Sequence, residues 1–122
     1  MECIHFKNLR VLSGMFAVAW HPNLIKLLSW IVVRYSRMTV TSSYRPKPIH
    51  DKDSGIHSTI PLRAFDIRSS GYGDPVAIAN DINKHWTYDP KRAEMKCAIY
   101  HNTGAGFHIH LQVHANSKLK GG

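Results

Sequence analysis

The run Phe107-His108-Ile109-His110-Leu111-Gln112-Val113 alternates apolar and polar side chains without a break, a period of two that fits a half-buried β-strand and no helix. Phe107, Ile109, Leu111 and Val113 point to one side, and His108, His110, Gln112 and His114 to the other. A fold that accepts this strand must lay a core against one face, and it leaves an imidazole-rich face for something else. Upstream, Asn102-Thr103-Gly104-Ala105-Gly106 is turn chemistry, and residues 95–101 form the other arm of a hairpin. A turn of these five residues pairs His101 with Phe107. Ile99 then faces Ile109, Cys97 faces Leu111 and Met95 faces Val113. In that register His101 shares the apolar side and Tyr100 stands beside His108 on the polar side.

The remaining elements follow from similar periodicities. Leu24, Leu28, Ile31 and Tyr35 fall at offsets of four, three and four, widened by Leu27 and Val32, which predicts a core-facing helix over 23–36 with Asn23 as its cap. Met38-Thr39-Val40-Thr41 opens a strand over 38–43. Residues 46–61 hold three prolines, two aspartates and a Ser-Gly and read as a long surface loop. A second strand covers 62–67, with Leu62, Ala64 and Asp66 on one face and Phe65 and Ile67 on the other. Asp74-Pro75 caps and starts a helix over 75–84, whose apolar side is Val76, Ala79 and Ile82 with Ile78 beside them. The sum is an α+β fold: a small antiparallel sheet of 38–43, 62–67, 95–101 and 107–113 with helices packed on one side. A chain of 122 residues has room for one such domain, 1–122. Residues 118–122 are expected to fray.

Charge narrows the partners. The net charge is +8, and residues 1–50 carry seven basic side chains against one acidic, residues 51–122 nine against seven. Such an excess favours an anionic partner, whether nucleic acid, membrane surface or cell-wall polymer. Cys3 and Cys97 fit neither a Cys-x-x-Cys pair nor a disulfide framework and read as buried or unpaired thiols. The apolar stretch 11–33 is interrupted by His21, Pro22, Asn23 and Lys26, so no membrane span is expected. Lys7 and Arg10 before an apolar run ending in Ala17-Val18-Ala19 have the form of a signal peptide. The preferred reading of 11–20 is apolar packing against the body.

Three residues have metal-binding chemistry and can be brought together by the fold: His57 in the long loop, Asp66 on the second strand and His110 on the hairpin. Two imidazoles and a carboxylate with an open fourth position are what a hydrolytic zinc site needs. His57 and Asp66 lie nine apart, too wide for one helical turn, so the site would be assembled by tertiary structure.

Taken in order, Ser42-Ser43-Tyr44-Arg45, then His57, Ala64-Phe65-Asp66 and Gly104-Ala105-Gly106-Phe107-His108-Ile109-His110 resemble the motifs of the zinc D-Ala-D-Ala carboxypeptidase and L-alanyl-D-glutamate endopeptidase family. That family, found in bacteria and widely in bacteriophages, shares its zinc fold with lysostaphin-type peptidases and hedgehog signalling domains. The resemblance covers residues 23–114. It implies a hedgehog-like fold, Zn2+ held by His57, Asp66 and His110, and a peptidoglycan stem peptide as substrate, cut at an amide bond. It also implies that Arg45 holds a substrate carbonyl or carboxylate, with Ser42 of the same motif at the substrate, and that His108 assists catalysis. Tyr100, placed beside His108 by the expected register, could orient it through its hydroxyl. The chain departs from the family in three places. The His57 to Asp66 interval is two residues longer than usual, which an insertion around Ile60-Pro61 absorbs; Leu62 replaces a glycine; and Phe107 stands where members with a general-base Glu carry it. The enzyme is expected to be a monomer made in the cytoplasm and acting on the bacterial wall, with no nucleic-acid partner.

Three rivals stay open. His108-Ile109-His110 also resembles the His-hydrophobe-His strand of rolling-circle nucleases, which need a helical tyrosine; no tyrosine follows His110, and upstream Tyr88-Asp89-Pro90-Lys91 has a proline where a helix is required. His57-Ser58-Thr59 and His101-Asn102-Thr103 repeat the His-x-Thr of two-histidine phosphoesterases, although Asn102-Thr103-Gly104 reads better as a turn. A non-catalytic, zinc-stabilised binding module is the third.

Overall fold

Pro22, rigid in φ and lacking an N–H, starts the longest helix, and the structure shows what that helix covers. The structure is a computed structural model in which residues 3–44, 56–70, 72–102 and 106–120 are described. The elements run β1 (Cys3–Phe6), α1 (Leu9–Phe16), α2 (Pro22–Tyr35), β2 (Arg37–Ser42), a 3-10 turn at Ile56–Ser58, β3 (Ala64–Arg68), α3 (Pro75–His85), β4 (Trp86–Thr87), β5 (Ala98–Asn102), β6 (Phe107–Gln112) and β7 (Lys118–Leu119). Both longer helices begin as proline and cap chemistry dictate. His21, not Asn23, caps α2, with its Nδ1 accepting from Asn23 N at 3.1 Å. Asp74 caps α3 by accepting from Ala77 N at 3.1 Å. Ser36 closes α2 in the left-handed region at φ 69°.

The main sheet has the order β1-β2-β3-β6-β5. It is mixed, not antiparallel as expected, because β1 pairs with β2 in parallel. A parallel pair needs a crossover, and α1 with α2 supplies it. β1 escaped prediction because four edge residues carry too little periodicity to read. Two-residue strands β4 and β7 pair Trp86 with Leu119 and Thr87 with Lys118, so the tail is tied down through Lys120 rather than frayed from Lys118. β3 begins at Ala64 rather than Leu62; Leu62 instead bridges to Trp20, donating its N–H to Ala19 O at 2.8 Å.

One face of the sheet is apolar. Val40, Phe65, Ile67, Ile109 and Leu111 are fully buried and share a cluster with Leu24, Leu27 and Ile31 of α2, Ile82 of α3, and Val11 and Met15 of α1. Of the segment 11–20, Val11 and Met15 thus pack against the body with Val18 and Trp20 beside them, while Phe16 is exposed. Arg34 and Tyr35 at the end of α2 both bond Asp81 of α3, clamping the two helices together. Cys97 is a free, buried thiol, and burial pushes it up to about 12.

The hairpin register differs from expectation by one residue. Asn102 pairs with Phe107, His101 with His108, Tyr100 with Ile109, Ile99 with His110 and Ala98 with Leu111. A one-residue slip exchanges faces along the whole arm. Tyr100 therefore lies on the core side, stacked on Phe107 with ring centroids 5.1 Å apart, and His101 joins the histidine face. Asn102 enters the strand because its Oδ1 accepts from Gly106 N at 3.2 Å, while Gly106 takes φ 100°.

Candidate metal centre

The face opposite the core is built from three directions. β6 presents His108, His110 and Gln112, and β3 presents Asp66, which pairs with His110 in register. On β2 the register shifts between Val40 and Ser42, so Ser42 rather than Thr41 stands opposite Asp66. The 3-10 turn delivers His57 over the same face; His57, Asp66 and His110 are 3, 7 and 7% exposed. The nine-residue His57 to Asp66 interval does not separate them; the chain between them exposes Ile60 and Pro61.

His57 Nε2 lies 3.2 Å and His110 Nδ1 2.9 Å from the same oxygen, Asp66 Oδ1. The ligand atoms of all three residues fall within 4.8 Å of one another. Metal–ligand bonds of about 2.1 Å in a tetrahedron put ligand atoms about 3.4 Å apart, so the spacing fits. The proton positions decide what the cluster is. Gln112 Nε2 donates to Lys96 O at 2.8 Å, which turns its carbonyl Oε1 toward His110 Nε2, 3.0 Å away. His110 Nε2 must then carry the proton, and in the neutral ring Nδ1 is bare. His57 Nδ1 likewise donates to the Ser43 carbonyl at 3.1 Å, leaving Nε2 bare. In neutral rings, two lone pairs would thus converge on a carboxylate oxygen inside the protein. Either both rings are protonated or a cation sits among them; histidines tied to an outer acceptor are the usual arrangement of metal ligands. Burial by itself would raise the Asp66 carboxyl; with both rings protonated, the hydrogen bonds and charge of His110 and His57 outweigh it and hold it well below the usual carboxylate range.

The Ser43 carbonyl is fixed by a part of the chain remote in sequence. Ser43 Oγ donates to Val11 O of α1 at 2.8 Å, and a Cβ at Gly14 would collide with that same Oγ. Only glycine lets α1 approach this closely. Two further imidazoles flank the triad. His108 ties Nδ1 to Gly106 O at 3.2 Å and turns Nε2 toward Asp66 Oδ2 at 3.7 Å. His101 lies 4.8 Å from the His108 ring and 5.7 Å from that of His110. Burial first, then the neighbouring His108 and His110, lower its pKa.

The sequence-predicted ligands His57, Asp66 and His110 thus meet, with Ser42 and His108 alongside. Tyr100 does not reach the site, and His101 takes the place expected of it. Arg45, with His50, Asp51, Asp53, Gly104 and Ala105, lies outside the described residues. Gln112 and the Ser43 carbonyl are the parts the sequence did not single out. Gln112 was visible as the next residue on the His108 and His110 face, whereas a backbone carbonyl leaves no sequence signal. A buried His57, Asp66 and His110 group can hold a metal ion. No protein-family model, curated protein or solved structure matches the chain.

Proposed function

We propose that the protein is a zinc peptidase that hydrolyses an amide bond of the peptidoglycan stem peptide. The observation that carries this is that His57 Nε2 and His110 Nδ1, on rings whose other nitrogens are held by outer carbonyls, converge on one buried carboxylate oxygen. Two imidazoles and a carboxylate suit zinc better than magnesium or calcium, which prefer all-oxygen sets. Bound there, zinc would bring a water's pKa toward about 7 and polarise the scissile carbonyl. His57 and His110 present lone pairs, and Ser43 O and Gln112 Oε1 keep those rings from turning. His108 holds its Nε2 3.7 Å from Asp66 Oδ2 with only 14% of its side chain exposed, a position from which it can take and return the proton of the reaction; His101 supports it from the adjacent strand. By the family resemblance, Arg45 would be the donor to a substrate carbonyl or carboxylate. The proposed place of action is the bacterial wall.

Two rivals lose ground. Tyr88, the tyrosine a rolling-circle nuclease would need free, is 4% exposed and its backbone carbonyl accepts from Ser117 Oγ. Thr59, the hydroxyl of the first His-x-Thr, instead closes its own turn, donating to Ile56 O at 2.9 Å and accepting from Arg63 N at 3.1 Å. Among the described residues no helix is long and apolar enough to cross a membrane. The test is turnover of purified peptidoglycan or a synthetic stem peptide by wild type and His108→Ala at equal zinc content. His108→Ala should keep its zinc and lose about 100- to 10,000-fold in rate. Equal rates remove His108 from the mechanism, and no turnover by wild type favours the binding module.

A further inference from the structure

Beside His108 the histidine face falls into a cavity of about 270 Å³ lined by Lys7, Thr41, Arg68, Ser69, Ser70 and His108, with Phe107 at its edge. A cleft that takes a whole small ligand usually measures about 300–1,000 Å³, so this one suits a single group of a longer molecule. Its charge is one-sided: two cations and three hydroxyls line it, and no carboxylate does. Among the described residues neither Lys7 nor Arg68 makes an ion pair. Asp66, the nearest acid along the strand, is occupied by His57, His110 and His108. The positive strip continues into a second cavity of about 290 Å³ that shares Arg68 and Ser70 and adds His5 and Arg37.

Arg68 follows Asp66 by two residues on β3, on the same face, and pairs with His108 in register. Two strand residues span about 7 Å, the length of about two residues of extended peptide. A planar guanidinium offers two parallel donors to a carboxylate, and Lys7 adds a second charge.

We propose that this cavity is an anion subsite in which Arg68 and Lys7 hold a free carboxylate of the substrate, about two residues from the amide that is cut. The proposal rests on the peptidase reading for what lies next to the subsite, and its ligand chemistry is tested separately from turnover. Lys7 falls outside residues 23–114, so the subsite uses a part of the chain that the family resemblance does not reach.

Equilibrium binding to the zinc-loaded protein is measured with a stem peptide carrying its free carboxylates and with the same peptide fully amidated, for wild type, Arg68→Gln and Lys7→Gln. Both side chains are exposed, and retained zinc content checks that each variant is folded. The acidic peptide should bind wild type about tenfold or more tightly than the amidated one. Each variant should lose most of that preference, and raised salt should weaken it. In turnover the variants should raise KM for the acidic peptide and leave kcat unchanged. Equal binding of the two peptides, or variants that bind like wild type, overturns the subsite even if hydrolysis is robust. Inorganic phosphate that binds at the cavity while the acidic peptide does not also overturns it. Charge-dependent binding without turnover by wild type upholds the subsite and defeats the peptidase reading instead.

Discussion

Replacing Gln112 by Leu keeps its volume near constant and removes both ends of a bridge. Gln112 is 5% exposed, accepts from His110 Nε2 at 3.0 Å and donates to Lys96 O at 2.8 Å. Without that acceptor the neutral His110 ring is free to place its proton on Nδ1, where Asp66 Oδ1 at 2.9 Å is ready to accept it, and the ligand atom is then closed. Loss of an outer partner of a metal-bound histidine typically weakens metal affinity about 10- to 100-fold, or about 1.4–2.8 kcal/mol. The orphaned Lys96 carbonyl should cost about 1–3 kcal/mol of stability besides. Gln112→Glu keeps an acceptor for His110 and should hold metal far better than Gln112→Leu. The assay is zinc competition against a chromogenic chelator, with the His110 tautomer in the metal-free protein read by 15N chemical shifts. A Gln112→Leu affinity within about twofold of wild type, or an Nδ1–H tautomer in wild type, would refute the account of how the lone pair is aimed.

Other consequences of the geometry are equally open to test. Gly14→Val should push Ser43 away from Val11 and release the carbonyl that fixes His57, lowering zinc affinity although residue 14 touches no ligand; unchanged affinity would show that His57 is held by other means. The observed hairpin register predicts that His101→Ala slows hydrolysis, while Tyr100→Phe, on the core face, stays within about twofold of wild type; the reverse pattern would restore the register expected from the turn.

What the sequence could and could not convey follows from the kinds of constraint involved. Strict alternation over 107–113 set out both faces of β6, and with Asp66 on a strand of matching period it gave two candidate ligands on one surface. His57 was legible as a residue type, but its nearness to Asp66 depends on how the chain bends at Ile60 and Pro61, which no periodicity encodes. The hairpin register was misjudged because Asn102 can either sit in the turn or close it from the strand. Its bond to Gly106 N selects the second, and that exchanged His101 for Tyr100. β1 and the parallel pairing it brings were invisible because edge strands of four residues leave no pattern. The Ser43 carbonyl and the Gln112 amide that hold the outer nitrogens of His57 and His110 are placed by tertiary contacts, which no sequence pattern carries.

Metal content measured on protein purified without added metal tests the central claim most directly. Wild type and His108→Ala should each carry one zinc per chain, and His57→Ala, Asp66→Ala and His110→Ala should each lose most or all of it, since each removes one of three protein ligands. Wild type that holds no zinc and takes up none when it is supplied, or His57→Ala that keeps full occupancy, would contradict the assignment of these three side chains as a metal centre.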